Sequence, residues 1–249
     1  MRKRERNLWQ GIDSNAREAL KARDYRTAAF AQELSQRGVD ACEVVTADRK
    51  QREVNKAWIP GVEIFPRKIH AQRHRGFFGE FVRRDEGILA QIGFWPKQWS
   101  AARMFAPTAK GFHVHPPSIP KNADAADWLR RLFITEPQNY SLRRYDDEQW
   151  DVMFFLQGRV EVILCDIRVG FPRRVMRLFV DGDNHRSSSN AGVVIPPGVA
   201  HAIRAEGAED VIMVYGTSTV FHPEFEGRIA SDVESAELPE AWQKFLSHK

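Results

Sequence analysis

Three of the eight histidines stand at spacings that a strand fold could gather into one site. His113 and His115 lie in Lys110-Gly-Phe-His113-Val-His115, and on a strand two residues so spaced share a face because side chains alternate with a period of two. His201 closes Gly192-Val-Val-Ile-Pro196-Pro-Gly198-Val-Ala-His201, which reads as a strand, a Pro-Gly turn and a third imidazole. Neutral imidazoles ligate metals, and a pKa near neutrality also makes histidine a general base. One histidine on an apolar strand is ordinarily a hydrogen-bonded core residue. Three at these spacings, the third set up by a turn, point to a site.

Such a set needs strands to hold it. From Val62 onward the chain breaks into short apolar segments separated by Gly, Pro, Asn and Asp, with strands expected at 62–65, 76–82, 99–105, 111–115, 150–156, 159–166, 175–180, 192–195, 200–205 and 211–217. Many short strands with turn residues between them indicate a sandwich or a closed jelly roll. About thirty residues between His115 and Trp150 form an insertion, with a helix expected over 123–133; loops of that length are usually lids or partner contacts. Ahead of the strands, 13–37 carries Ala16, Ala19, Leu20, Ala28, Ala31 and Leu34 at helical spacing with Gly38 as a C-cap, and 46–56 is a polar, basic linker. Leu238, Trp242, Phe245 and Leu246 predict a terminal helix over 237–247.

Composition excludes several classes. With 249 residues, 43% of them hydrophobic, one main domain with an appendage is expected. The apolar runs fall far short of the roughly 20 residues that cross a bilayer, and the basic N-terminus is followed by no apolar signal region, so a cytoplasmic protein is expected. Cys42 and Cys165 lack CxxC spacing and read as ordinary reduced cysteines. The 37 Lys+Arg are interspersed with 33 Asp+Glu, which describes a solvated mixed-charge surface rather than a nucleic-acid groove and is compatible with a small anionic substrate.

The two histidine segments resemble the cupin motifs GxHxH and G(x)nPxGxxH. The first motif of that superfamily also carries a Glu seven residues before a turn glycine, and the same count back from Gly158 lands on Asp151. The resemblance therefore implies a metal quartet of His113, His115, Asp151 and His201, a donor set suited to Fe, Mn, Ni, Cu or Zn. Over about 59–233 the chain more specifically resembles the dTDP-4-dehydrorhamnose 3,5-epimerase (RmlC-like) family, a metal-free branch of the cupins. The matching elements are Arg75-Gly-Phe-Phe-Gly-Glu80, Lys110-Gly-Phe-His113, Gly158-Arg-Val-Glu-Val-Ile-Leu-Cys-Asp166-Ile-Arg168, Pro197-Gly-Val-Ala-His201 and Phe221-His-Pro223-Glu-Phe-Glu-Gly-Arg-Ile.

That resemblance implies His113 as catalytic base with His201 beside it, and a substrate pocket to which Arg75 and Glu80 contribute across a dimer interface. Lys110, Arg204 and Tyr215 complete the candidate substrate contacts, although core packing also accounts for Tyr215. Other family positions differ. Asp151 replaces the lysine expected to stabilise an enolate, Phe221 replaces the tyrosine proton donor, and His115 replaces a glutamine. Two of these three changes each supply a metal ligand.

The expected architecture is mainly β: a cupin jelly-roll barrel over 59–235 with an insertion at about 116–148, an N-terminal helical extension and linker over 1–58, and a C-terminal helix over 236–249. The first functional reading is a metal-binding cupin of sugar-epimerase lineage that isomerises or epimerises a small oxygenated substrate with one divalent transition metal. Two others stay open: a metal-free dTDP-4-keto-6-deoxyhexose 3,5-epimerase with His113 as base, and a non-catalytic sugar-binding scaffold. The partners expected are a small molecule, anionic or nucleotide-linked, and a second copy of the chain; no nucleic acid or membrane is expected.

Overall fold

Alternation along each strand decides which layer a side chain joins. In the computed structural model, which describes residues 44–47, 59–115, 119–133, 147–171, 174–186, 189–223 and 226–229, Met153 and Phe155 of the strand Asp151–Gln157 enter one core while Val152 and Phe154 enter another. The expected helices over 13–37 and 237–247 lie outside those residues.

The strands in chain order are β1 (Val44–Ala47), β2 (Glu63–Pro66), β3 (Lys68–Ala71), β4 (Phe77–Glu80), β5 (Gln98–Met104), β6 (Ala109–Val114), β7 (Asp151–Gln157), β8 (Arg159–Asp166), β9 (Val175–Asp181), β10 (Ala191–Ile195), β11 (Val199–Glu206), β12 (Val211–Thr217) and β13 (Gly227–Arg228). Two helices are described, α1 (Gly87–Ile92) and α2 (Ala125–Leu132), the second capped by the Asp124 carboxylate, which accepts from the Asp127 N–H at 2.7 Å. A six-stranded sheet runs β1-β9-β8-β11-β6-β13 and a five-stranded sheet β2-β10-β7-β12-β5, with every pairing antiparallel. This is a mainly β architecture of two antiparallel sheets. Sequence patterning missed three short strands. β1 falls in the segment assigned to the N-terminal extension, and β3 and β13 lack a clear apolar alternation.

Between the sheets lies a core that includes Val62, Ile64, Met153, Phe155, Val162, Leu164, Leu178, Val193, Ile195 and Ile203. Each such side chain removed fully from water contributes about 1.5–3 kcal/mol. A second cluster covers the outer face of the six-stranded sheet, where Phe112, Ile163, Cys165 and Ala200 meet Leu129 and Leu132 of α2. A third covers the five-stranded sheet, where Val152, Phe154 and Val194 meet Leu89 of α1 and Phe94. The β3–β4 ribbon is separate and leaves Phe77 and Phe78 exposed. No helix among the described residues is long and apolar enough to cross a membrane.

Charge is also buried, in closed arrangements. Arg168 donates from Nε and Nη2 to the two Asp166 oxygens at 2.8 and 2.7 Å and from Nη2 to the Pro60 carbonyl at 2.9 Å. Arg67 pairs with Asp183 at 2.8 Å, whose other oxygen accepts from Asn190 at 2.9 Å. Glu161 is held between Arg177 and Arg204.

Candidate functional site

β6 and β11 bring the histidines inward. Phe112 and Val114 of β6 belong to the outer core, so His113 and His115 face the barrel interior. On β11, Val199, Ile203 and Ala205 are interior, which places His201 with them. His113 stands directly opposite His201 in the ladder, and the register then slips so that Ile203 faces Lys110. This bulge at Gly111–Phe112 brings Lys110 and His113, three residues apart, to the same face. Gly111 makes it possible: its φ is 135°, and a Cβ there would lie 2.6 Å from the Ala202 Cβ. The Pro-Gly turn before β11 likewise relies on Gly198 at a φ of 77°.

Asp151 enters from the five-stranded sheet with the inward parity of Met153. Its Oδ2 lies 3.3 Å from His115 Nε2 and 3.8 Å from His201 Nε2, and its Oδ1 accepts from the Gln149 amide at 3.0 Å. All three residues are more than nine-tenths buried, and the donor atoms of His115, Asp151 and His201 lie within 4.8 Å of one another. His113 stands outside this trio, with its ring centroid 6.0 Å from that of His201.

Burial opposes charge throughout the trio. It takes the His201 pKa down to about 3, helped by the nearby His115 and His113, so His201 is a neutral imidazole. Its Nδ1 lies 3.3 Å from the Val199 carbonyl, which can only accept, so Nδ1 carries the proton and Nε2 turns its lone pair toward Asp151. At His115 burial is outweighed by the Asp151 charge and hydrogen bond, with a smaller contribution from Glu226, and the pKa is raised. At Asp151 burial is outweighed by His115, His201 and the Gln149 hydrogen bond, and the pKa is lowered. Asp151 and His115 therefore favour each other's charged forms.

The trio and His113 line a cavity of about 320 Å³ between the sheets. Lys110 and Tyr215 line it too, Tyr215 from β12 on the facing sheet. Arg204 does not. It is on the outer face, where Nε donates to Glu161 at 2.7 Å, and its odd spacing of three from His201 on a regular strand carried that signal. Arg75 and Glu80 are also away from this cavity; Glu80 pairs with Arg83 at 2.6 Å and Arg75 closes a short 3-10 turn before β4. Sequence reading assigned no role to Gln98, Gln149, Glu226 and Arg228, all of which line the cavity. Gln149 was legible as the residue two before Asp151. Arg228 was not, because its place depends on β13 pairing it with His113.

No family model matches the chain. It is 26% identical over 167 residues to the spore coat polysaccharide biosynthesis protein SpsL of Bacillus subtilis (strain 168), covering 67% of this chain and 84% of that protein. Among solved structures it is similar to the epimerase RmlC of Legionella pneumophila in complex with dTDP-4-keto-L-rhamnose, at 21% identity and a TM-score of 0.48 over 75% of this chain and 78% of that one. It is similar as well to the RmlC epimerase of Mycobacterium tuberculosis, at 21% identity and a TM-score of 0.48 over 69% and 70%. A third is ChmJ, a 3'-monoepimerase of Streptomyces bikiniensis solved with dTDP-quinovose, at 18% identity and a TM-score of 0.47 over 69% and 70%.

Proposed function

We propose that the protein is a sugar epimerase or isomerase of polysaccharide biosynthesis that moves a proton at a carbon next to a keto group, on a nucleotide-linked sugar. The observation that carries this reading is the pair of opposed cavity walls: His113 on one sheet and Tyr215 on the other, with Lys110 and Arg228 beside His113. The spore coat relative supports the sugar half of it, and the Lys110-Gly-Phe-His113 and Pro197-Gly-Val-Ala-His201 motifs support the proton-transfer half.

His113 takes the proton as the C–H bond breaks, and that electron pair becomes the enolate. Enolates form readily only where positive charge or hydrogen-bond donors await the oxygen. Lys110 and Arg228 supply that charge in place of the family lysine that Asp151 replaces. Inversion then requires a proton delivered to the other face. The Tyr215 hydroxyl, across the cavity, takes the donor role for which Phe221 has no proton, and solvent later restores it.

Incubation with a dTDP-4-keto-6-deoxy sugar in heavy water tests the reading. Deuterium enters at a carbon flanking the ketone with the wild-type protein, and His113→Asn slows entry by about 10²–10⁴-fold. Tyr215→Phe retains exchange but loses the inverted product. Absence of deuterium from both flanking carbons with every such sugar tried overturns it.

A further inference from the structure

We infer that Phe221 is the residue that keeps bulk water from the face of the sugar served by Tyr215, and so decides which proton the enolate receives. This rests on the proton-transfer reading above and adds a reason why one donor prevails over solvent. Position is the first ground. Phe221 lines the cavity yet is 54% exposed, so its ring forms part of the rim, with one portion toward the interior and the rest in water. It stands on the side of Tyr215. Tyr215 and Thr217 share the inner face of β12, Thr217 is paired with Gln98 of β5, and the Gln98 side-chain oxygen accepts from the Phe221 N–H at 2.8 Å. His113 belongs to the opposite sheet.

An exposed phenylalanine is ordinary by itself, and the second ground is how firmly this one is held. The chain from Thr217 to Phe221 is a strap with an anchor at nearly every residue. The Thr217 hydroxyl donates to the Thr219 carbonyl at 2.6 Å. The Ser218 N–H donates to the Trp150 carbonyl at 3.0 Å, while its hydroxyl accepts from the Trp150 N–H and donates to the Glu148 carbonyl, both at 2.8 Å. The Thr219 hydroxyl donates to the Gln149 side-chain oxygen.

Two of these anchors belong to the cavity wall. Gln98 and Gln149 both line it, and each amide has its oxygen on the strap and its nitrogen on the barrel: Gln98 donates to the Ser100 hydroxyl and Gln149 to the Asp151 carboxylate, both at 3.0 Å. A sugar bound against either amide therefore meets Phe221 in a fixed place.

The chemistry follows from what an enolate accepts. Its carbon takes a proton from any donor that reaches it, so water at the Tyr215 face competes with the hydroxyl held there, and closing a site against water removes that competition. With an apolar rim over the face, the Tyr215 O–H bond breaks as the new C–H bond forms, and the phenolate regains a proton from solvent afterwards. Without the ring, a water molecule donates instead, becomes hydroxide and takes up the proton held on His113.

The test places Phe221 variants in the Tyr215→Phe background, in heavy water with a dTDP-4-keto-6-deoxy sugar as probe. Tyr215→Phe alone exchanges but gives little inverted product. Adding Phe221→Ala admits water to the vacated face and raises inverted product at least about 10-fold, whereas adding Phe221→Leu, which keeps an apolar rim, raises it less than about threefold. Thermal unfolding shows that each variant is folded. Undiminished inversion in Tyr215→Phe alone, no gain on adding Phe221→Ala, or an equal gain from Phe221→Leu overturns the assignment. Exchange without the stereochemical rescue removes this inference alone, whereas absence of exchange in the wild-type protein removes the proposed reaction and this inference with it.

Discussion

Asp166 and Asp151 are both buried carboxylates, 1% and 3% exposed, on strands of the two facing sheets, yet they are neutralised in opposite ways. Asp166 meets a bidentate guanidinium on both oxygens and also accepts the Arg168 backbone N–H at 3.2 Å, and it lines no described cavity. Asp151 has one oxygen on the Gln149 amide and the other before two imidazoles, beside open space. The Asp166 carboxylate has its partners on both oxygens within the fold. A site is where burial has been accepted and a position left for something that comes and goes. Glu148 gives a third case: burial pushes its pKa up to about 8, and its Oε1 has no hydrogen-bond partner.

The comparison breaks most visibly in activity. His113→Asn costs about 10³-fold in deuterium wash-in. Next in size, Arg168→Met strands a buried carboxylate and loses about 3–5 kcal/mol in denaturant unfolding. Asp151→Asn costs less, about 1–2 kcal/mol, because its carboxylate has the Gln149 amide and the His115 imidazole in place of a bidentate guanidinium. Equal losses from Arg168→Met and Asp151→Asn would make the trio a structural ion pair and end the distinction.

Glu148 and Arg204 are read by pH dependence and by wash-in respectively. Because the folded Glu148 pKa is raised from 4.5 to about 8, its contribution is intact below pH 4.5, declines as pH rises, and is lost above about 8. Glu148→Gln therefore flattens the fall of Tm between pH 5 and 9 and leaves the variant more stable than wild type at pH 9. Arg204→Ala leaves wash-in unchanged, because its guanidinium serves Glu161 on the outer face; loss of exchange would return it to the cavity.

Local pattern was sufficient for whatever depends on the face of one strand. His113 at the end of β6 with His115 just beyond it, and Met153 with Phe155 opposite Val152 with Phe154, follow the period of two, and His201 follows a Pro-Gly turn. The same rule read from His201 excludes Arg204. Helix α2 was legible within two residues of each end from the apolar spacing around Trp128 and Leu129. The β3–β4 ribbon shows the limit: two short strands exposed on their faces carry no alternation, and their pairing comes from the turn between them.

The sequence by itself determined a barrel of short antiparallel strands, three inward histidines and a candidate carboxylate. Only the tertiary structure decided that His115, Asp151 and His201 converge while His113 stands aside with Arg228 and Lys110, and that Arg204 lies on the outer face. Side-chain direction is a property of neighbouring residues along one strand. Proximity across β6, β7, β11 and β13 arises when strands distant in the chain pair and the two sheets close over a shared core, and no spacing in the sequence records those distances.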